Sequence, residues 1–104
     1  MVINVKENFN GLTQAETERL ALLAEEMGEC IQVIGKILRH GYDSRNPVLP
    51  DSPTNRDNLD MEIGDVELII YLMAEARDID RNRVDRRRVN KGKSIVTWLH
   101  HQED

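Results

Sequence analysis

Cysteine is nearly absent from this chain of 104 residues, Cys30 being the only one. An internal disulfide is therefore impossible and a zinc site built from several thiolates is excluded, so the fold must hold by packing. Aromatics amount to 4%, namely Phe9, Tyr42, Tyr71 and Trp98. The other apolar residues are chiefly Leu, Ile, Val, Met and Ala, a set that suits helices better than a sandwich or barrel. Long hydrophobic runs are missing as well. The longest spans Leu68 to Ala74, far short of a membrane crossing, so neither a transmembrane helix nor a membrane partner is expected. The opening residues, MVINVKENFN, lack the basic start, apolar stretch and cleavage site of a secretory signal, which makes the cytoplasm the expected compartment. Positive charge is also short overall. The formal net charge of -5 argues against stable nucleic-acid binding.

What is present is unevenly spread. Between Arg77 and Lys93 stand eight basic residues against three acidic ones, so an acidic body carries a basic C-terminal segment. Thr13 and Glu16 frame Thr-Gln-Ala-Glu, a capping box, and predict a helix from there to about His40, with Gly41 as its stop. Leu20, Leu23, Met27, Ile31, Ile34 and Leu38 recur at three- and four-residue spacing along it and are expected to form its core stripe. All three prolines, Pro47, Pro50 and Pro53, fall between Gly41 and Asn58, which reads as one long loop. A second helix is expected from near Asn58 to about Arg77, with Leu59, Ile63, Val66, Ile70 and Met73 as its stripe. A third stretch should cover Arg81 to Leu99, with a bend at Gly92. The whole is expected to be one all-α domain over residues 1–104.

Two carboxylates are out of place. At 100° per residue, Asp60 and Glu67 fall on the outer face of the second helix, whereas Glu62 and Asp65 fall inside its apolar arc. On the first helix Glu26 and Glu29, three residues apart, share a side with Leu22 and Val33, while Glu25 points further outward. Burying an ionised carboxylate without a compensating cation is costly. Two such helices packed antiparallel would bring four carboxylates together, where they repel and raise one another's pKa unless a cation intervenes. Hard oxygen ligands without His or Cys suit Mg²⁺ or Mn²⁺. The competing reading is a solvated acidic face on two surface helices.

A divalent ion among carboxylates commonly serves a phosphate chain, and phosphates also need cations from the protein. Val84, Arg88, Lys91, Ile95 and Trp98 form one stripe with apolar ends and a basic centre, so Arg88 and Lys91 are candidates; a surface helix with snorkelling side chains is the alternative. Lys36 follows Glu29 by seven residues on the same side and is a further candidate. Asn55, Arg56 and Asn58 precede the expected second helix, whose free N–H groups favour anions. Cys30 reads as a small buried hydrophobe, and His40, His100 and His101 as exposed end residues. Tyr42, on the loop, is the candidate for stacking on a base.

The motifs EEMGE (Glu25 to Glu29) and EIGD (Glu62 to Asp65), within LAEEMGECIQ and LDMEIGDVELIIYL, resemble those of MazG-like nucleotide pyrophosphohydrolases, an all-α NTP pyrophosphatase superfamily. The resemblance covers roughly residues 18 to 99, and KGKSIVTWLHH resembles the end of a small phage and bacterial subgroup. It implies an antiparallel helical bundle completed by dimerisation or higher oligomerisation, as a homodimer or dimer of dimers. It also implies Glu26, Glu29, Glu62 and Asp65 as Mg²⁺ ligands, with Lys91 serving the phosphates. The implied reaction is attack by a metal-activated water between the α and β phosphates of a nucleoside triphosphate, giving the monophosphate and pyrophosphate. A reading from a different class is a non-catalytic metal-binding helical interaction module. The inward or outward position of Glu62 and Asp65 separates the two.

Overall fold

The computed structural model describes residues 9–103, which form three α-helices and one short 3₁₀ helix, with no strand among them. Helix α1 runs Gln14–His40. Its capping box closes as expected, the Glu16 amide donating to Thr13 Oγ1 at 3.1 Å and the Thr13 amide donating to Glu16 Oε1 at 2.9 Å. Gly41 ends the helix at φ 90°, a backbone conformation that favours glycine.

Helix α2 spans Asn55–Glu75 and so begins three residues ahead of the Asn58 start expected from the sequence. The cause is a second reciprocal cap: the Thr54 amide donates to Asp57 Oδ2 and the Asp57 amide donates to Thr54 Oγ1, each at 3.1 Å. Two hydrogen bonds that satisfy free helix donors outweigh the turn-forming character of the residues around them. At its far end Arg77 adopts φ 64°. Its amide donates to the Ala74 carbonyl at 3.1 Å and that of Asp78 to the Met73 carbonyl at 2.9 Å, a Schellman closure built on arginine where glycine is usual.

Helix α3, Arg81–Ser94, starts at Asp80, whose carboxylate accepts from the Asn82 and Arg83 amides at 2.9 and 3.3 Å. Gly92, the position of the expected bend, does not interrupt the helix. The α-helix continues through that residue and tightens into the 3₁₀ helix Ile95–Trp98. By packing the chain divides into two compact units, one reaching Leu72 and one starting at Met73. No described helix is long and apolar enough to cross a membrane.

In the first unit the helices α1 and α2 are tied where they meet the loop. Asn55 Nδ2 donates to the Gly41 carbonyl at 3.1 Å, the Asn55 amide to Ser44 at 3.0 Å and the Arg56 amide to Tyr42 at 2.8 Å. Glu29, upstream of that joint, meets Glu62, downstream of it, so the two helices run antiparallel side by side.

The packed faces follow the three–four period, but not along the expected stripe on α1. Leu23, Glu26, Cys30, Val33 and Ile37 form the partly or fully covered stripe, with Glu29 at its edge. Of the residues expected in the core only Leu23 belongs to that set; Leu20, Met27, Ile31, Ile34 and Leu38 are exposed, Ile31 at 68% and Leu38 at 82%. The two stripes lie about 90° apart around the helix axis, and one partner helix covers only one of them. On α2 the covered positions include Asn55, Leu59, Glu62, Val66, Ile69, Ile70 and Met73, with Asn55, Ile69 and Met73 buried. Ile63, expected inside, is 44% exposed. Glu26 and Glu62 thus occupy central positions on the packed faces.

Candidate metal centre

The i, i+3 spacing that puts Glu26 and Glu29 on one side of α1, and Glu62 and Asp65 on one side of α2, brings the pairs together across the helix pair. One carboxylate oxygen from each of the four lies within 4.8 Å of the other three. Glu26, Glu29 and Glu62 are half-buried and Asp65 is exposed. The second helix therefore presents one of its two acids inward, at Glu62, and the other at the open rim.

Such crowding is unfavourable in the absence of positive charge. Partial burial pushes the Glu26 carboxyl above the ordinary glutamate value, and the charges of Glu29, Asp65 and Glu25 and a hydrogen bond with Glu29 push it the same way. Glu62 is also raised, first by its hydrogen bond with Glu29, then by burial and by the charges of Glu29, Asp65 and Glu26. Even so, two oxygens remain unsatisfied: Glu26 Oε2 and Glu62 Oε2 are buried and have no hydrogen-bond partner. A buried acceptor without a partner carries its full desolvation cost.

A hard divalent cation fits this donor set. Four atoms mutually within 4.8 Å fit inside a sphere of about 2.9 Å radius, so inward movements of roughly 0.8 Å bring them to the ~2.1 Å of a magnesium–oxygen bond. The set contains only carboxylate oxygens, which suits Mg²⁺ or Mn²⁺ and disfavours zinc.

The remaining candidates are distributed as follows. Glu25 is exposed and outside the cluster, acting on Glu26 only through its charge. Cys30 is half-buried, and burial, followed by the charges of Glu62 and Glu26, pushes its thiol up. Lys36 lines a cleft at the far end of the α1–α2 pair. Arg88 and Lys91 are exposed on α3, in the second unit, where Val84 and Ile95 are half-buried and Trp98 is exposed. The Arg56 guanidinium lies 4.3 Å from the Tyr42 ring centroid, so one face of the ring expected to stack on a base is already taken. Asn55, Arg56 and Asn58 belong to the first turn of α2 itself. Arg39 and Arg45, which share the cleft with Lys36, escaped the sequence reading; the spacing of Arg39 three residues after Lys36 was the available signal.

Comparison with known protein families gives a match to a model described as the MazG nucleotide pyrophosphohydrolase domain, over residues 14–95. No curated protein and no solved structure shows significant similarity to the chain.

Proposed function

The chain belongs to the MazG nucleotide pyrophosphohydrolase domain family, and on that premise we propose that it is a Mg²⁺-dependent nucleoside triphosphate pyrophosphohydrolase, Mn²⁺ being able to substitute. Ribo- or deoxyribonucleoside triphosphates would be cleaved between the α and β phosphates to the monophosphate and pyrophosphate. The observation that carries this reading is the convergence of four carboxylates from two helices, two of them with buried, unpartnered oxygens.

Glu26, Glu29, Glu62 and Asp65 would hold the ion. When bound, a divalent cation offsets the negative charge of the phosphates and lowers the pKa of water, a requirement for hydrolysis at neutral pH. Glu26 and Glu29 have a further task. A carboxylate oxygen of either that is not engaged with the cation orients the attacking water and accepts its proton. Lys36 offers positive charge to the phosphate chain. Arg88 and Lys91 enter as phosphate-binding residues through their place at the basic centre of the α3 stripe, and Lys91 also through the family resemblance. The non-catalytic module is disfavoured by the central place of Glu62 on a packed face, since a surface patch for a basic partner gains nothing from burying its charges.

A homodimer or dimer of dimers belongs to the same proposal. Its support is the second apolar stripe of α1, Leu20, Met27, Ile31, Ile34 and Leu38, which the chain leaves exposed. Another helical copy is the natural cover for such a stripe. The cytoplasm is the expected site of action.

The test is pyrophosphate release from a panel of ribo- and deoxyribonucleoside triphosphates with Mg²⁺, run beside Glu62→Gln. Metal-dependent release that disappears in the variant is expected. A folded protein that binds Mg²⁺ and releases nothing from any nucleotide would favour the interaction module.

A further inference from the structure

A cleft of about 580 Å³ opens in the first unit, at the C-terminal end of α1, the loop and the first turn of α2. Its lining is one-sided in charge. Lys36, Arg39 and Arg45 contribute to it together with His40, and it contains no carboxylate and no Phe, Tyr or Trp. Arg45 is held in place by donating from Nε to the Ser52 carbonyl at 3.1 Å. The Ser52 hydroxyl, also in the lining, is buried and has no partner. Gathering like charges at one opening is unfavourable unless an anion is received there. In a chain of net charge -5, such a concentration of cations is a local exception, although Asp57 lies near enough to Arg45 to feel its charge.

The cleft is also in line with the carboxylates. Lys36 follows Glu29 by seven residues, and Asn55 and Asn58 precede Glu62 and Asp65 by seven. Seven residues are about two helical turns, so each returns to the same side of its helix about 10 Å further along. Side chains on a helix lean toward its N-terminus, so Lys36 and Arg39 reach back from the cleft toward the carboxylates.

We propose that this cleft seats the distal phosphates of the substrate, the part that departs as pyrophosphate, so that the polyphosphate chain runs from the carboxylate cluster along α1 toward Lys36, Arg39 and Arg45. The inference rests on the nucleoside triphosphate reading and adds an orientation to it. The nucleoside then points away from the cleft, in agreement with a lining dominated by cationic side chains and amides.

The experiment is calorimetric titration of the protein, in Mg²⁺, with inorganic pyrophosphate and separately with a nucleoside monophosphate. The native protein is compared with Lys36→Gln, Arg39→Gln and the control Lys36→Arg. Both positions are exposed, and thermal melts verify that each variant folds. Each loss of charge is expected to weaken pyrophosphate binding about tenfold or more, to leave monophosphate binding unchanged, and to be restored by Lys36→Arg. Unchanged pyrophosphate affinity in both variants, or weakening confined to the monophosphate, overturns the orientation while leaving the hydrolase reading intact. A native protein that binds neither ligand and no nucleoside triphosphate overturns that reading, and the orientation with it.

Discussion

Replacing Asp65 with Asn separates the metal reading from a plain acidic patch, because the two expect opposite signs with and without Mg²⁺. In the metal-free protein the four carboxylates lie within 4.8 Å and repel, so removing one charge relieves the others and raises thermal stability. The same logic gives the pH dependence. Glu26 and Glu62 are raised above the ordinary glutamate value in the folded protein. Relative stability is therefore full below that ordinary value and is lost as the pH climbs through the raised ones. With Mg²⁺ the order reverses. At a free concentration one hundred times its dissociation constant, a ligand that binds only the folded chain adds about 2.7 kcal/mol. For a chain of this size that raises the melting temperature on the order of 10 °C. Asp65→Asn removes one of four ligands and should forfeit most of that gain. The assay is a set of melting curves, native and variant, at pH 5 and 7.5, with EDTA or with graded Mg²⁺. If Mg²⁺ shifts both proteins equally, or shifts neither, the four carboxylates do not form a cation site.

Three further outcomes are expected. Gly92→Ala should stabilise the protein by about 1 kcal/mol in thermal melts, because α3 continues through that position and an added Cβ meets nothing within 4 Å; a lower melting temperature would show that something packs there. Ile31→Lys combined with Leu38→Lys should convert an assembled species to monomers in sedimentation velocity with helicity retained, since both residues are exposed within the chain. An unchanged sedimentation coefficient would remove the second stripe of α1 from the interface. The Thr54 amide and hydroxyl hold the Asp57 carboxyl below its ordinary value, so its contribution is full above the ordinary aspartate range and is lost as the pH falls through the lowered value. In urea titrations the stability difference between native protein and Asp57→Asn should therefore shrink between pH 5 and pH 3.

Much of the site was readable because its acids violated the pattern around them. Glu62 stands where a core residue is expected, and an ionisable group in such a place needs a physical reason. Asp65 was read as facing the core by the same wheel, yet it is exposed, since an arc drawn on one helix does not say how far the neighbouring helix reaches. The packed face of α1 was misplaced for a related reason. That helix is apolar over two adjacent faces, and periodicity alone does not choose which one pairs within the chain. The start of α2 was missed because Thr54 and Asp57 lie in a proline-rich stretch, where a cap and a turn use the same residue types. The basic cleft depends on Arg45 folding back toward Lys36 and Arg39, a loop conformation that helical spacing does not encode.

The bonds that tie α1 to α2 join Gly41, Tyr42 and Ser44 to Asn55 and Arg56, which leaves the tip of the loop outside the ties. The register of Glu29 against Glu62 is then independent of how many residues the tip contains. Doubling a loop's length costs only about 0.6 kcal/mol in closure entropy, so insertions at the tip are cheap. Asn46 and Pro47, on that tip, also line the cleft. Evolution or an engineer can therefore remodel the mouth of the cleft by editing a surface loop, while the carboxylates keep their positions. The loop tip and the acidic cluster are separately adjustable parts of one helical hairpin.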